Sequence, residues 1–175
     1  MNTKTAFRIG AEVLTLSSIL ALSAAVPFLF HLTGVSGQVF LPIFTVLVIG
    51  SFYTVPSILI GAAILTPLLN TLLTGMPVLE PVPMMPLLTV EMAFTALAAV
   101  AVRRKGTLLR IILPLTLGRL MSLPFAIFAS GISVSWWLRH FTLGFPGMLL
   151  NMTLAGGLLF FFPPGGKGKA TKGLE

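Results

Sequence analysis

The sequence predicts an all-α integral membrane protein, a compact bundle of six transmembrane helices with both termini in the cytoplasm. Of its 175 residues, 56% are hydrophobic and 9% are charged, whereas a soluble domain carries about 25% charged residues. The mean hydropathy is +1.04, so there is too little polar surface to cover a soluble globule. Lys and Arg collect in the short cytoplasmic loops beside membrane spans. Eight of the 11 lie in three clusters, namely Lys4 and Arg8, then Arg103, Arg104 and Lys105, then Lys167, Lys169 and Lys172.

The first predicted span covers residues 9–30, close to the length of about 20 apolar residues that a membrane helix needs. A cleaved signal peptide is the alternative, since a basic start precedes an apolar core and a small-residue site at 23–25. Glu12 interrupts that core, and the apolar run continues to Phe30. A retained span is therefore predicted.

The uncharged stretch 38–74 is predicted to hold two spans. A single span here would place the turn at 103–105 outside the cell, against the positive-inside bias. We place the break near residues 51–54, so that Pro56 falls in the first turn of the third span, where proline is tolerated. The second span, about 39–52, is then short.

The remaining predicted spans cover residues 85–102, 107–130 and 143–162. The membrane domain is therefore 1–162, and residues 163–175 form a basic cytoplasmic tail that we expect to be disordered. The outer loops are about 31–38, 75–85 and 131–142. They contain both histidines, both tryptophans and a proline-rich run at 75–86.

The composition also excludes several chemistries. The chain has no Cys, which removes disulfides, thiol nucleophiles and Cys-ligated metals. It has no Asp for a carboxylate pair, and His31, His140 and Glu80 show no metal-ligand spacing. We therefore expect no enzymatic activity, no metal site and no cofactor.

Two ionisable residues inside the predicted spans indicate a site, because such groups are costly in a bilayer and usually serve a function or pair with each other. Glu91 lies 14 residues before Lys105, and Arg119 lies 14 residues after it. At a rise of about 1.5 Å per residue, both lie about 21 Å from the basic turn. We expect them at similar depth, either as a structural ion pair or as ligands of a solute that enters from outside.

Other polar side chains recur at helical spacing along the predicted spans, as expected for a shared face. For the hydroxyl residues, the alternative to solute binding is packing between helices. The two tryptophans either anchor the chain at the membrane interface or form a lid that stacks on a ring-containing ligand. The predicted substrate-binding residues are Glu91, Arg119, Asn70, Asn151, Trp136, Trp137 and Thr95.

The first span carries a stripe of small residues, Ser17, Ala21 and Ala25. Such a stripe lets another helix approach closely. The partner helix belongs either to this chain or to another subunit, and the sequence leaves both open.

A family resemblance is carried by the residues around the third and sixth spans. Thr66, Pro67, Asn70 and the run 74–77 lead into a proline-rich loop, after which Glu91 opens the fourth span. The sixth span starts with the run 144–147, followed by Leu149, Leu150 and Asn151. With Pro42 at the start of the second of six short spans, this order resembles the substrate-binding S components of energy-coupling factor (ECF) vitamin transporters.

The resemblance implies a multi-pass protein of the prokaryotic cell membrane, with an outward-facing pocket for a small vitamin-like solute. It implies assembly with a transmembrane coupling subunit and two cytosolic ATPases, which consume the ATP. Ser17, Ala21 and Ala25 match the positions of the subunit contact. Members that take up nickel or cobalt begin with Met-His, whereas this chain begins with Met1 and Asn2, which disfavours metal uptake.

A second hypothesis is a small multi-span structural protein, similar to the MreD scaffold of the bacterial cell-shape machinery. Such a scaffold does not require Glu91 and Arg119 at matching depth. Binding of a small molecule distinguishes the two hypotheses.

Overall fold

The computed structural model describes residues 3–34, 37–75 and 82–164. All regular structure in these ranges is helical, which confirms the predicted all-α class there. The helices are α1 (Thr3–Leu32), α2 (Gly37–Phe40), α3 (Pro42–Gly50), α4 (Pro56–Thr74), α5 (Met84–Ala101), α6 (Thr107–Phe128), α7 (Val134–Leu143) and α8 (Phe145–Phe161). Most of the predicted proline-rich loop, and the predicted tail from residue 165 onward, lie outside the described residues.

Five segments of the described chain are long and apolar enough to cross a membrane, as expected for a multi-pass membrane protein. They are Ile9–Leu29, Pro56–Thr74, Met84–Ala101, Thr107–Phe128 and Val134–Phe161. The last one contains both α7 and α8. The second predicted span is not among the five, so the six-span topology stays a prediction.

That second span, residues 39–52, consists of the short helices α2 and α3, which are separated at Leu41. The residue before a proline is disfavoured in the right-handed helical conformation, and Leu41, followed by Pro42, adopts a left-handed backbone with φ 50°. α3 has nine residues, about 14 Å at 1.5 Å per residue, against about 30 Å for the hydrocarbon core. It packs among α1, α4, α5, α6 and α8 and buries Phe44, Leu47 and Val48.

The turn at 51–55 lies where the break between the second and third spans is predicted, and Pro56 is the first residue of α4. Nη2 of Arg110 donates a hydrogen bond to the carbonyl oxygen of Ser51 over 3.3 Å. The Tyr53 hydroxyl donates to the carbonyl oxygen of Phe162. The starts of α4 and α6 and the end of α8 therefore meet the basic α5–α6 turn, residues 102–106, at one end of the bundle. We call it the arginine end.

The opposite end is here called the tryptophan end; there α4 ends, α5 begins and α7 leads into α8. α1 runs from the arginine end toward the tryptophan end. Ile19 lies against Gly50, close to the arginine end. The carbonyl oxygen of Ser23, one turn later, accepts a hydrogen bond from Asn70 in the last turns of α4.

α5 and α6 make an extensive antiparallel contact. A Cβ atom at Gly118 of α6 would collide with the Thr95 side chain and with the backbone oxygen of Glu91 on α5. Small residues allow such close approach between membrane helices. This packing holds Glu91 beside the turn of α6 that carries Arg119.

Within the predicted outer loop at 131–142, the loop conformation is wrong from residue 134 onward, because residues 134–143 form α7. The Ser133 hydroxyl caps this helix by accepting a hydrogen bond from the Trp136 backbone N–H over 3.2 Å, which satisfies a free N–H of the first turn. Apolar residues at 134, 137, 138 and 141 follow the helical period. The pattern for a short amphipathic helix was therefore present in the sequence.

Candidate functional site

A cluster of buried polar side chains lies among α5, α6 and α7. Its members are Glu91, Arg119, Ser122, Trp137 and His140, and we call it the polar site. Glu91 and Arg119 are each 1% exposed and Ser122 is fully buried. Burial of charged groups in apolar surroundings is unfavourable unless they are paired or hydrogen-bonded, so the partners of each atom decide what the site can do.

Ser122 is the centre of the polar site. Its hydroxyl oxygen lies 2.6 Å from the carbonyl oxygen of Arg119 and 3.1 Å from Oε1 of Glu91. It also accepts a hydrogen bond from the indole N–H of Trp137 over 3.0 Å. A hydroxyl has one proton to donate, so the backbone oxygen and the carboxylate compete for it.

Arg119 has five N–H donors and uses few of them within the chain. Nη2 donates to the carbonyl oxygen of His140 over 2.8 Å. The guanidinium carbon lies 5.5 Å from the centre of the Phe141 ring, within the range of a cation–π contact. Among the described residues, Nε and Nη1 have no hydrogen-bond partner although both are buried.

Glu91 is similarly short of partners. Oε1 lies 3.7 Å from Nε2 of His140, beyond hydrogen-bonding distance. Oε2 is buried and has no hydrogen-bond partner within the described part of the chain. The polar site thus combines an unsatisfied acceptor on Glu91 with two unsatisfied donor nitrogens on Arg119.

α7 covers the polar site from the tryptophan end. The Trp136 ring stacks on His140, with ring centres 5.2 Å apart and an interplanar angle of 12°, and Trp137 stacks on Phe141 at 5.3 Å. After α7 the chain passes directly over Arg119, because a Cβ atom at Gly144 would collide with the guanidinium. Only glycine leaves room there for the Arg119 side chain.

Glu91 and Arg119 lie at the same level of the α5–α6 pair, as predicted, because the Ser122 hydroxyl reaches the side chain of one and the backbone of the other. They do not form the direct ion pair that was one of the two alternatives. Within the described residues, the basic group within 4.0 Å of Glu91 is the His140 imidazole.

The structure places the other predicted polar residues outside this hydrogen-bonded cluster. Thr95, next to it, donates to the Glu91 backbone oxygen over 2.8 Å. Nδ2 of Asn70 donates to the Ser23 backbone oxygen on α1 over 3.1 Å. Its Oδ1, like the hydroxyls of Ser23 and Thr66, is buried without a partner among the described residues.

Asn151 joins α8 to the start of α3. Its Nδ2 donates to the backbone oxygens of Gly147, over 2.7 Å, and Leu41, over 3.4 Å. Its Oδ1 accepts from the Thr45 hydroxyl. The whole amide is therefore engaged inside the chain, at the left-handed residue between α2 and α3.

The small-residue stripe on α1 faces away from the bundle. Ser17, Ala21 and Ala25 are exposed, whereas Ile19 and Ser23 are buried. The two sets are two residues out of phase, about 200° around a helix. The stripe therefore makes no contact in the described bundle that buries it.

Sequence reasoning missed Ser122 and His140 as members of the polar site. Ser122 stands three residues after Arg119, on the same helix face, and that spacing is the signal that identifies it. His140 was assigned to a loop. Once 134–143 is read as a helix, His140 falls three residues after Trp137 on the same face, which is the signal that identifies it.

The fold and the site define a multi-pass helical membrane protein with a buried, incompletely paired polar site. The chain matches no protein-family model, no curated protein and no solved structure. Its function is therefore inferred from the geometry of the site.

Proposed function

We propose that this chain is the membrane-embedded substrate-binding subunit of an ECF-type ABC importer, which captures a small polar, vitamin-like solute for ATP-driven uptake. The observation that carries the proposal is the set of buried atoms without partners on Glu91 and Arg119. A buried charge without partners is strongly unfavourable. A solute that accepts from Arg119 and donates to Glu91 removes that penalty when it binds.

The solute reaches the polar site from the tryptophan end, where α7 is the covering element. The Trp136 ring stacks on His140 and is half-buried, so it offers aromatic surface to a ring-containing solute. Small-molecule sites typically combine such aromatic surface with a few placed polar groups. Glu91 and Arg119 are the two groups that select the solute.

The proposal includes six spans, with both termini on the cytoplasmic side of a prokaryotic cell membrane. Support comes from the arginine end, where the turn with Arg103, Arg104 and Lys105 lies at the same end as the start of α4 and the end of α8. The positive-inside rule assigns that end to the cytoplasm. α3, although short, is then the second crossing and brings the chain back to the arginine end.

The coupling subunit binds the exposed face of α1, which includes Ser17, Ala21 and Ala25. A face of small residues permits close helix contact, and the bundle leaves this face uncovered. Two cytosolic ATPases supply the energy through that subunit, so the chain itself needs no cofactor and performs no enzymatic step.

A scaffold function, similar to that of MreD, is the second candidate. It is favoured by the hydrogen bonds of the polar site that close within the chain, such as those from Trp137 to Ser122 and from Arg119 to the His140 backbone. In a scaffold, these bonds only hold α6 and α7 together, and no solute is bound.

The deciding experiment is native mass spectrometry of the gently purified protein, with Glu91→Gln and Arg119→Ala as variants. We expect a copurified small molecule with the wild-type protein and its loss from both variants, while membrane insertion persists. Arg139→Ala is the matched control, since Arg139 is exposed on α7 and its removal leaves the polar site intact. Normal solute uptake by cells carrying either site variant would overturn the proposal.

A further inference from the structure

The arginine end carries an unusual density of positive charge at a fixed position. Arg103, Arg104 and Lys105 are consecutive and exposed in the α5–α6 turn, and Arg110 is half-buried one turn into α6. Arg110 follows the basic turn by five residues from Lys105, so a fourth positive charge lies at the same end of the bundle. Glu91, in the polar site, lies away from this charge, whereas Glu12 belongs to the half of α1 that begins at the arginine end.

Arg110 is oriented before any ligand arrives. Its guanidinium carbon lies 3.9 Å above the centre of the Phe52 ring, and Nη2 reaches the Ser51 carbonyl oxygen. Stacking on the Phe52 ring fixes the plane of the Arg110 guanidinium, whose other N–H donors point outward within that plane. A planar fork of N–H donors matches the oxygens of a phosphate.

The surrounding backbone adds further donors for an anion. α4, with 19 residues, and α6, with 22, both begin at the arginine end, and neither has a side-chain cap. Free N–H groups and the helix dipole favour a negative charge at such positions. The Thr54 hydroxyl, three residues after Ser51, is buried and has no partner among the described residues.

The position of the arginine end relative to the membrane indicates which kind of anion binds there. α4, α5, α6 and α8 all begin or end here and belong to segments long and apolar enough to cross a membrane, which predicts that the arginines lie at the level of the lipid headgroups. Leu108 and Leu109, in the first turn of α6, are 70% and 50% exposed and provide apolar surface for acyl chains beside the charges. A free phosphate ion makes no use of that surface.

We infer that the arginine end is a binding site for an anionic phospholipid, whose headgroup phosphate is held by Arg103 and Arg110 and whose acyl chains lie along the start of α6. Clusters of Lys and Arg beside a membrane helix attract anionic lipids. The inference is independent of the proposed transport function.

The test measures lipid retained by the purified protein, with phosphatidylglycerol and phosphatidylcholine supplied in equal amounts and counted by native mass spectrometry. We expect preferential retention of phosphatidylglycerol, with Arg110→Gln weakening it about fivefold. Arg139→Gln also removes one positive charge, but at the tryptophan end, and should leave retention unchanged. Arg103→Gln changes an exposed residue and serves if Arg110→Gln impairs folding.

Three results would overturn the inference. The first is equal retention of the two lipids by the wild-type protein. The second is the same loss of phosphatidylglycerol with Arg139→Gln as with Arg110→Gln and Arg103→Gln, which indicates attraction to net charge only. The third is displacement of the lipid by millimolar inorganic phosphate, which indicates a site for the free anion.

Discussion

The indole N–H of Trp137 donates to the hydroxyl of Ser122 over 3.0 Å, and this bond fastens α7 to the centre of the polar site. Because the same hydroxyl also faces the carboxylate of Glu91, the position of α7 and the environment of Glu91 are linked. A substitution of Trp137 or of Ser122 is therefore expected to alter both the position of α7 and the environment of Glu91.

The first prediction concerns the strength of that bond. Trp137→Phe and Ser122→Ala should each lower the free energy of unfolding by about 1–3 kcal/mol, because each leaves a buried polar group without its partner. Since both changes remove the same bond, the double variant should lose less than the sum, with a coupling energy of about 1 kcal/mol. Unfolding of the purified protein by a denaturing detergent measures all three variants.

Trp136→Phe is the control for this cycle. Trp136 is half-buried, and its ring stacks on His140, an arrangement that a phenyl ring can also adopt. We expect a change in unfolding free energy within about 0.5 kcal/mol. Additive effects of Trp137→Phe and Ser122→Ala would contradict the assigned bond.

The second prediction tests the chain segment above Arg119. Gly144→Ala places a methyl group where the guanidinium lies, so Arg119 must shift and its bond to the His140 carbonyl oxygen must lengthen. Under the proposed function, solute affinity should fall about tenfold or more, which corresponds to about 1.4 kcal/mol. Binding of the copurified solute, measured by native mass spectrometry, checks the result.

Gly157→Ala is the matched control, because a methyl group there meets no atom within 4 Å. It should leave affinity unchanged. Unchanged affinity in Gly144→Ala as well would show that the position of the Arg119 guanidinium does not matter for binding.

The third prediction separates a structural residue from the polar site. Asn151→Leu leaves the Leu41 carbonyl oxygen without one of its donors and the Thr45 hydroxyl without its acceptor. A buried polar group that loses its partner costs about 1–3 kcal/mol, and we expect a loss of stability in that range. Thr153→Val, on the exposed face of α8, should change stability by less than about 0.5 kcal/mol.

The fourth prediction concerns the exposed face of α1. Under the proposed function, Ala21→Phe should keep solute binding but abolish ATP-coupled uptake, because the bulky ring prevents close approach of the coupling subunit. Leu22→Phe is the control, since Leu22 is also exposed but points about 100° away around the helix. Normal uptake with Ala21→Phe means that this face is not the coupling contact.

Most of the helical fold could be predicted from the sequence. The lengths of the apolar segments predicted the positions of α1, α4, α5 and α6 closely, and Pro56 lies at the start of α4 as expected. α3 was predicted only as part of the span 39–52, because the apolar run is continuous through Leu41, although Pro42 disfavours a right-handed helical conformation there. The break between α2 and α3 depends on the left-handed backbone of Leu41, which the distant Asn151 helps to hold.

The polar site was predicted in part. The equal spacing of Glu91 and Arg119 from Lys105 placed them at one level, and the structure brings them together through Ser122. The spacing of residues along one helix does not show which face of α4 or α8 turns toward α5. Asn70 and Asn151 were therefore grouped with Glu91 and Arg119, to which they form no hydrogen bond in the described structure. Their partners, on α1 and α3, depend on how the whole bundle assembles.

The hydrogen bond between Asn151 and the Leu41 carbonyl oxygen joins residues 110 positions apart, and this separation has a consequence for biosynthesis. The α3 segment leaves the ribosome long before α8 does, and alone it is too short to be held stably across a bilayer. Its contacts with α1, α4, α5 and α6 can form first, and those with α8 complete its packing only when α8 has been made. Nascent chains that stop before α8 should accordingly be recognised and degraded by membrane quality control.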